Sequence, residues 1–153
     1  MKRLFLHTLY KIYTLKFFFT RPITIGVRAM LIRDGQILLV KHSYKDGWLI
    51  PGGGVKRKET LEQAARRECR EEFGAEIGKM ELDGVFTNFY EFKNDHIVLF
   101  KSEDFSVYPK TDIEIEHADY FSMKDLPADT MPGSQRRIED YLKERPIPWD
   151  GIW

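Results

Sequence analysis

The stretch from Gly53 to Ala75, GGVKRKETLEQAARRECREEFGA, constrains this chain more than any other. A glycine run leads into a segment that reads as a helix. Thr60 with Gln63 three positions later forms a capping box, and Gly74 stands where a helix would stop. The second half carries Glu68, Glu71 and Glu72, whose spacings of three and four place them together on one helical surface. Like charges so placed repel, so a positive partner is implied. Arg66, Arg67 and Arg70 could supply it as a solvated charge network. A hard divalent cation is the functional alternative, because Mg²⁺ sites pair a few carboxylates with substrate phosphates. Leu61, Ala65 and Cys69 are four apart and predict a buried stripe, with Glu68 and Glu72 beside it. The carboxylates are therefore expected where helix meets sheet, partly shielded from water. Unpaired charge is costly there, and a metal cluster is well placed.

The rest of the chain organises around that helix. Residues 1–20 carry Lys2, Arg3, Lys11 and Lys16 with no acid, and Pro22 ends whatever helix they form. Lys11 and Lys16 interrupt the apolar run and no small-residue cleavage site follows, which argues against a signal peptide. The segment is also too short and too charged for a membrane span. As a helix it places Arg3, His7, Lys11 and Thr14 on one stripe and leaves a broad apolar surface. That surface suits packing against the domain, a homodimer, or peripheral contact with an anionic membrane. From Ile23 the pattern turns to strands, with Asp34-Gly35 as a hairpin turn. A second hairpin is expected around Lys93-Asn94-Asp95, a strand over IEIEHADYF, and a helix over QRRIEDYLKE capped by Ser134. Strands and helices are mixed without strict alternation, which places the chain in the α+β class or a layered α/β/α arrangement.

Bulk properties set limits. A length of 153 residues fits one domain, and 42% hydrophobic with 31% charged residues argues against disorder. A formal net charge of zero gives no support for duplex nucleic acid as partner. The single cysteine, Cys69, excludes an intramolecular disulfide and fits a reducing, cytoplasmic compartment.

The spacing in residues 53–75 resembles the signature box of the Nudix (MutT-like) hydrolases. Gly53 is followed after five residues by Glu59, then after seven by Arg67-Glu68, the small apolar Cys69, Glu71-Glu72 and Gly74. Seven identities at fixed spacing arise by chance in roughly one window in a hundred million. Cys69 and Ala75 stand where larger aliphatic residues are usual, which predicts slightly looser packing and intact chemistry. The likeness runs over about residues 22–143. It implies a Nudix-type α/β/α sandwich with a mixed central sheet over 22–145, preceded by the helix of 1–21 and followed by a tail over 146–153. It also implies hydrolysis of a pyrophosphate bond in a nucleoside diphosphate linked to another moiety, with Mg²⁺ or Mn²⁺ as cofactor. Nucleoside triphosphates, nucleotide sugars, ADP-ribose and dinucleoside polyphosphates are all such substrates.

Carried over residue by residue, the resemblance makes Glu68, Glu71 and Glu72 metal ligands, with the Gly52 carbonyl as an additional one. Together with Arg67 these glutamates form the implied catalytic set, and Glu68 is also a candidate base. An Arg67–Glu59 ion pair would fix the loop against the helix, and Gly53 and Gly74 would serve tight backbone positions. A further carboxylate, Glu116 or Glu114, would complete the metal site, unless these simply belong to an acidic surface strand. For substrate binding, Arg28 and Lys41 could reach a phosphate and Phe89 and Tyr90 could stack on a base, with Phe86 and Phe92 beside them. Such aromatics are more often core, and outward cations on strands need no function. His42, Lys45, Arg136 and Arg137 are weaker candidates, and Cys69 reads as a buried structural thiol. Two other readings stand beside the enzyme: a nucleotide-binding sensor that has lost catalysis, and a module whose first 20 residues dominate its role. RNA 5′-end pyrophosphohydrolysis is the alternative within the enzyme class.

Overall fold

The computed structural model describes residues 2–89, 92–108, 114–144 and 151–153, and in the first helix not the side chains of residues 2–4, 6, 7 and 13. The chain begins with helix α1 (Lys2–Thr20) and the hairpin of β1 (Ile23–Arg33) and β2 (Gln36–His42). Asp34 and Gly35 both take positive φ, 51° and 74°, the turn that matches the twist of a two-residue hairpin. A short β3 (Trp48–Leu49) precedes helix α2 (Leu61–Phe73), and β4 (Ala75–Ile77) leads into β5 (Glu81–Asn88). Then come β6 (Asn94–Ser102), β7 (Phe105–Val107), β8 (Ile115–Ser122), α3 (Pro132–Leu142) and β9 (Gly151–Ile152).

The sheet is mixed. β1 runs parallel to β6 over residues 23–31, but pairs with β2 only at Ile32–Ile37 and Arg33–Gln36. β2 therefore leaves β1 almost at once and pairs instead with β8 and β3. β5 continues the other wing beside β6, and β9 adds parallel to β5. The edge of β1 that β2 abandons is filled by the glycine loop. Val27 and Ala29 donate their N–H groups to the carbonyls of Gly53 and Pro51, at 2.9 and 3.0 Å, and Val55 donates to Ile25 at 3.1 Å. This splay docks the loop against the middle of the sheet.

β1 from Ala29 to Ile32 and β2 from Ile37 to Val40 are buried on both faces, which explains their apolar runs. Ala29, Leu31, Leu38 and Val40 pack with Cys69 and Phe73 of α2. Met30, Ile32, Ile37 and Leu39 pack with Ile138 of α3, Phe86 and Leu99. Helices thus cover the two faces, as expected for an α/β/α sandwich.

Several local expectations need correction. Leu61 is 38% exposed, and the buried stripe of α2 is Ala64, Ala65, Cys69, Glu72 and Phe73. Leu61 is the first residue of the helix, where the side chain has no sheet above it. Ser134 does not cap α3, which begins at Pro132 behind Met131. Its buried hydroxyl accepts the Ile50 N–H at 3.0 Å, tying the loop to α3. The second hairpin closes before Asn94, because Asn94 and Asp95 already belong to β6. Of the strand expected over 113–121, Ile113 lies outside the described residues. In the tail, Gly151 and Ile152 pair with β5, and Trp153 packs against Phe86. Among the described residues no helix is long and apolar enough to cross a membrane.

Candidate active site

α2 starts and stops as its sequence demands. The Thr60 hydroxyl accepts the Gln63 N–H at 3.2 Å, the Gln63 side chain accepts the Thr60 N–H at 2.9 Å, and Gly74 is left-handed at φ 71°. This register fixes which residues face the loop. Gly52, at φ 137°, crosses β1 so closely that a Cβ would meet the Val27 carbonyl at 2.1 Å. A Cβ on Gly53 would meet the Glu68 carboxylate at 2.6 Å. Gly52 therefore requires glycine, whereas at Gly53 the neighbour is the end of the Glu68 side chain, whose carboxylate lies directly against the loop backbone.

Arg67 organises the acids. Its guanidinium grips Glu59 with two bonds of 2.6 and 3.0 Å, and donates to Glu68 at 2.6 Å, Glu71 at 3.0 Å and the Gly54 carbonyl at 3.0 Å. Hydrogen bonding to Arg67 and to the Lys56 N–H holds the Glu59 carboxyl down at about 2. The other two arginines on this helix face elsewhere. Arg66 binds Glu62 and the Ile77 and Gly78 carbonyls, and Arg70 binds Glu76. Glu72 is buried, accepts the Gly52 N–H at 3.1 Å, and has His42 Nε2 3.5 Å from its other oxygen. Burial, then Arg28 and Lys45, push His42 down to about 3, so its ring is neutral. Burial and the nearby Glu72 and Glu68 push the Cys69 thiol up, which leaves it protonated and structural.

Two cavities meet at the loop. One, about 480 Å³, is lined by Glu68, Glu71, Glu72 and Glu114 with His42 and Tyr44. The other, about 630 Å³, shares His42, Tyr44 and Gly52–Gly54 and extends to Arg28, Lys45, Lys93 and Tyr10. Glu114 enters because Ser43 donates its N–H to the Glu114 carbonyl at 2.8 Å, and Tyr44 Oη lies 3.5 Å from its carboxylate. Glu116 is exposed, is skipped by the pairing register at the Lys41/His42 bulge, and is not among the lining residues. Arg28 donates to the Ile50 and Gly52 carbonyls at 3.1 and 2.6 Å.

The remaining candidates scatter. Lys41 pairs with Asp129 at 2.8 Å and lines neither cavity. Phe89 is exposed outside both cavities, Phe92 stacks edge-on against Phe18, and Tyr90 lies outside the described residues. Phe86 is core, with the Arg137 guanidinium 4.1 Å above its ring, and Arg136 donates to the Trp153 carbonyl. Sequence reasoning passed over Tyr44 and Tyr10, and took Lys93 only for part of a turn. The available signal was the seven-residue spacing of Tyr10 and Phe17, which sets both on one face of α1.

Comparison with known proteins agrees with the geometry. The NUDIX domain family matches residues 21–142. An ADP-ribose pyrophosphatase from Methanocaldococcus jannaschii is 27% identical over 124 residues, which cover 78% of this chain and 73% of that protein. An RNA pyrophosphohydrolase from Hydrogenovibrio crunogenus is 43% identical over 52 residues, but these are 34% of this chain and only 32% of that protein. The crystal structure of a MutT NUDIX hydrolase from Burkholderia pseudomallei superposes with a TM-score of 0.69 at 26% identity, covering 77% of this chain and 96% of that one. The chain belongs to the Nudix family of hydrolases, the class that its loop, helix and mixed sheet define.

Proposed function

We propose that this chain hydrolyses the pyrophosphate bond of a nucleoside diphosphate linked to another moiety, with Mg²⁺ or Mn²⁺ as cofactor. The observation that carries this reading is a surplus of carboxylate at one cavity. Glu68, Glu71, Glu72 and Glu114 line it, while Arg67 is shared with Glu59 and the other two arginines of α2 are turned away. An all-oxygen donor set of this kind fits a hard divalent cation. Among the described residues no three acidic or histidine side chains yet converge on one point, because Glu68 and Glu71 are drawn to Arg67. Cation binding therefore requires these two side chains to swing from Arg67 into the cavity, while Glu72 stays fixed by the Gly52 N–H. The Gly52 carbonyl accepts from Arg28 and has a second lone pair to offer.

When bound, the metal would neutralise phosphate oxygens and acidify a water. The chain's own residues supply the rest. Arg28 and Lys45 face the adjoining cavity, where they can orient the substrate's phosphates. Glu68, pressed against the loop backbone, is the candidate base that would take a proton from the attacking water. The similarity to an ADP-ribose pyrophosphatase over most of the chain supports a two-part substrate, whereas the likeness to an RNA pyrophosphohydrolase covers only 52 residues. The intact glutamates argue against a sensor without catalysis. Glu68→Gln is expected to cut Mg²⁺-dependent phosphoanhydride cleavage about a hundredfold or more. Unchanged cleavage would remove Glu68 from the site.

The same reading extends to the setting of the enzyme. Phe5, Leu9, Ile12, Leu15 and Phe19 form an exposed apolar face on α1, and residues 1–20 contain no acid. This supports peripheral contact with anionic lipid over a homodimer, since two copies of α1 would bring like charges together. The lone buried thiol fits a cytoplasmic enzyme.

A further inference from the structure

The cavity that adjoins the carboxylates changes character along β1. Near Arg28 it shares His42, Tyr44 and Gly52–Gly54 with the carboxylate cavity. Towards the start of β1 its lining turns apolar, with Ile23, Ile25, Val55 and Ile97. Ile23 is 72% exposed and Ile25 50%, so this apolar floor is left uncovered by the chain itself. The wall above it comes from α1, through Tyr10 and Phe17, and the family match begins only at residue 21.

The polar groups at this end are matched to one another. Asp95 accepts from the Thr24 hydroxyl at 2.6 Å with one oxygen, and its other oxygen lies 3.3 Å from Lys93 Nζ. One group is not matched. Tyr10 Oη is buried and has no hydrogen-bond partner among the described residues. Its ring is held in place, packed against Tyr44 with centroids 5.1 Å apart and with Lys45 Nζ 5.6 Å from its centre. Tyr44 is packed in turn against His42, again at 5.1 Å. Buried hydroxyls are normally satisfied, so a fixed orphan hydroxyl at the edge of a cavity is a donor and acceptor waiting for a ligand.

An uncovered apolar floor, an aromatic wall and one fixed hydroxyl describe a ligand that is flat, apolar on its faces and polar at its edge. A nucleobase has that form. A second sugar does not, because its hydroxyls would lie unpaired against isoleucine and valine. The cavity, about 630 Å³, falls within the range of small-ligand pockets and is continuous with the carboxylate cavity, so both can be filled by one molecule.

We propose that α1 closes a base-binding pocket in which Ile23, Ile25 and Phe17 cover the nucleobase of the substrate and the Tyr10 hydroxyl hydrogen-bonds its edge. This rests on the pyrophosphohydrolase reading and deepens it: the nucleoside half of the substrate lies under α1, and its diphosphate lies at the glycine loop. Tyr10 is then a specificity-determining residue contributed from outside the family's common domain.

The test uses the full chain with Mg²⁺ present and measures calorimetric binding of four probes, AMP, GMP, CMP and UMP, against ribose 5-phosphate, which lacks only the base. The wild type is expected to bind at least one of the four tenfold or more tightly than ribose 5-phosphate. Tyr10→Phe keeps the ring and removes the hydroxyl, and should weaken that nucleotide about fivefold while leaving ribose 5-phosphate unchanged. Tyr108→Phe, on the exposed surface away from both cavities, should bind like wild type. Circular dichroism checks that each variant is folded. Nucleotides that bind no more tightly than ribose 5-phosphate, or a Tyr10→Phe protein that binds them like wild type, would overturn the pocket. Equal weakening of nucleotide and ribose 5-phosphate would put the hydroxyl on the ribose and overturn the base assignment. None of these probes contains a phosphoanhydride bond, so the result stands or falls separately from the hydrolase reading.

Discussion

Arg67 holds Glu59, Glu68 and Glu71 at once, and only the first of these is bound with two parallel bonds. Glu59 is therefore the anchor that keeps the loop on the helix, and on the proposed reading the other two would exchange Arg67 for a cation. The anchor has a pH signature. The Glu59 carboxyl lies near 2 when folded, against an ordinary value of 4.5, so its charged form is favoured by folding. That contribution is fully present above about pH 4.5 and is lost as pH falls towards 2. Glu59→Gln should unfold at lower urea than wild type at pH 7, and the gap should close progressively below pH 4.5. A gap that stays constant down to pH 2.5 would mean that the pair contributes nothing to folding.

At the scale of elements, α2 and the first hairpin were legible in the sequence because their signals are local: a capping box, a left-handed Gly74, an Asp-Gly turn. That Glu68, Glu71 and Glu72 share one cavity wall was legible for the same reason, from their spacing on one helix. Ser134 was misread because the same residue that caps a helix also serves as a partner for a distant N–H, here that of Ile50. Tyr44, Lys93 and Tyr10 come together only because β2 leaves β1 early and α1 lies across the opening, and neither event has a local signature. For α1 the consequence is testable. Its outer face is apolar while Tyr10 and Phe17 face inward, so the inward contacts survive changes outside. Ile12→Glu with Phe19→Glu is expected to lower co-sedimentation with phosphatidylserine-containing liposomes by tenfold or more, since two apolar anchors are lost and two like charges added. Equal sedimentation of both forms would dismiss the lipid contact.

Across the whole molecule, a sheet that splays at one hairpin creates a slot, and a glycine loop fills it. Carboxylates gather on one side of the loop and cations on the other, with His42, Tyr44 and Gly52–Gly54 between them. On the proposed reading, this polarity suits a substrate whose phosphates would reach across the loop, one end towards a bound cation and the other towards Arg28 and Lys45. The most direct measurement is cleavage by the purified full chain of a panel comprising a nucleoside triphosphate, a nucleotide sugar, ADP-ribose and a dinucleoside polyphosphate, with products resolved by phosphorus NMR. At least one member should be split at a phosphoanhydride bond with Mg²⁺ or Mn²⁺ present, and not in EDTA. Cleavage that persists undiminished in EDTA, or no cleavage of any member with either metal, would contradict the assignment.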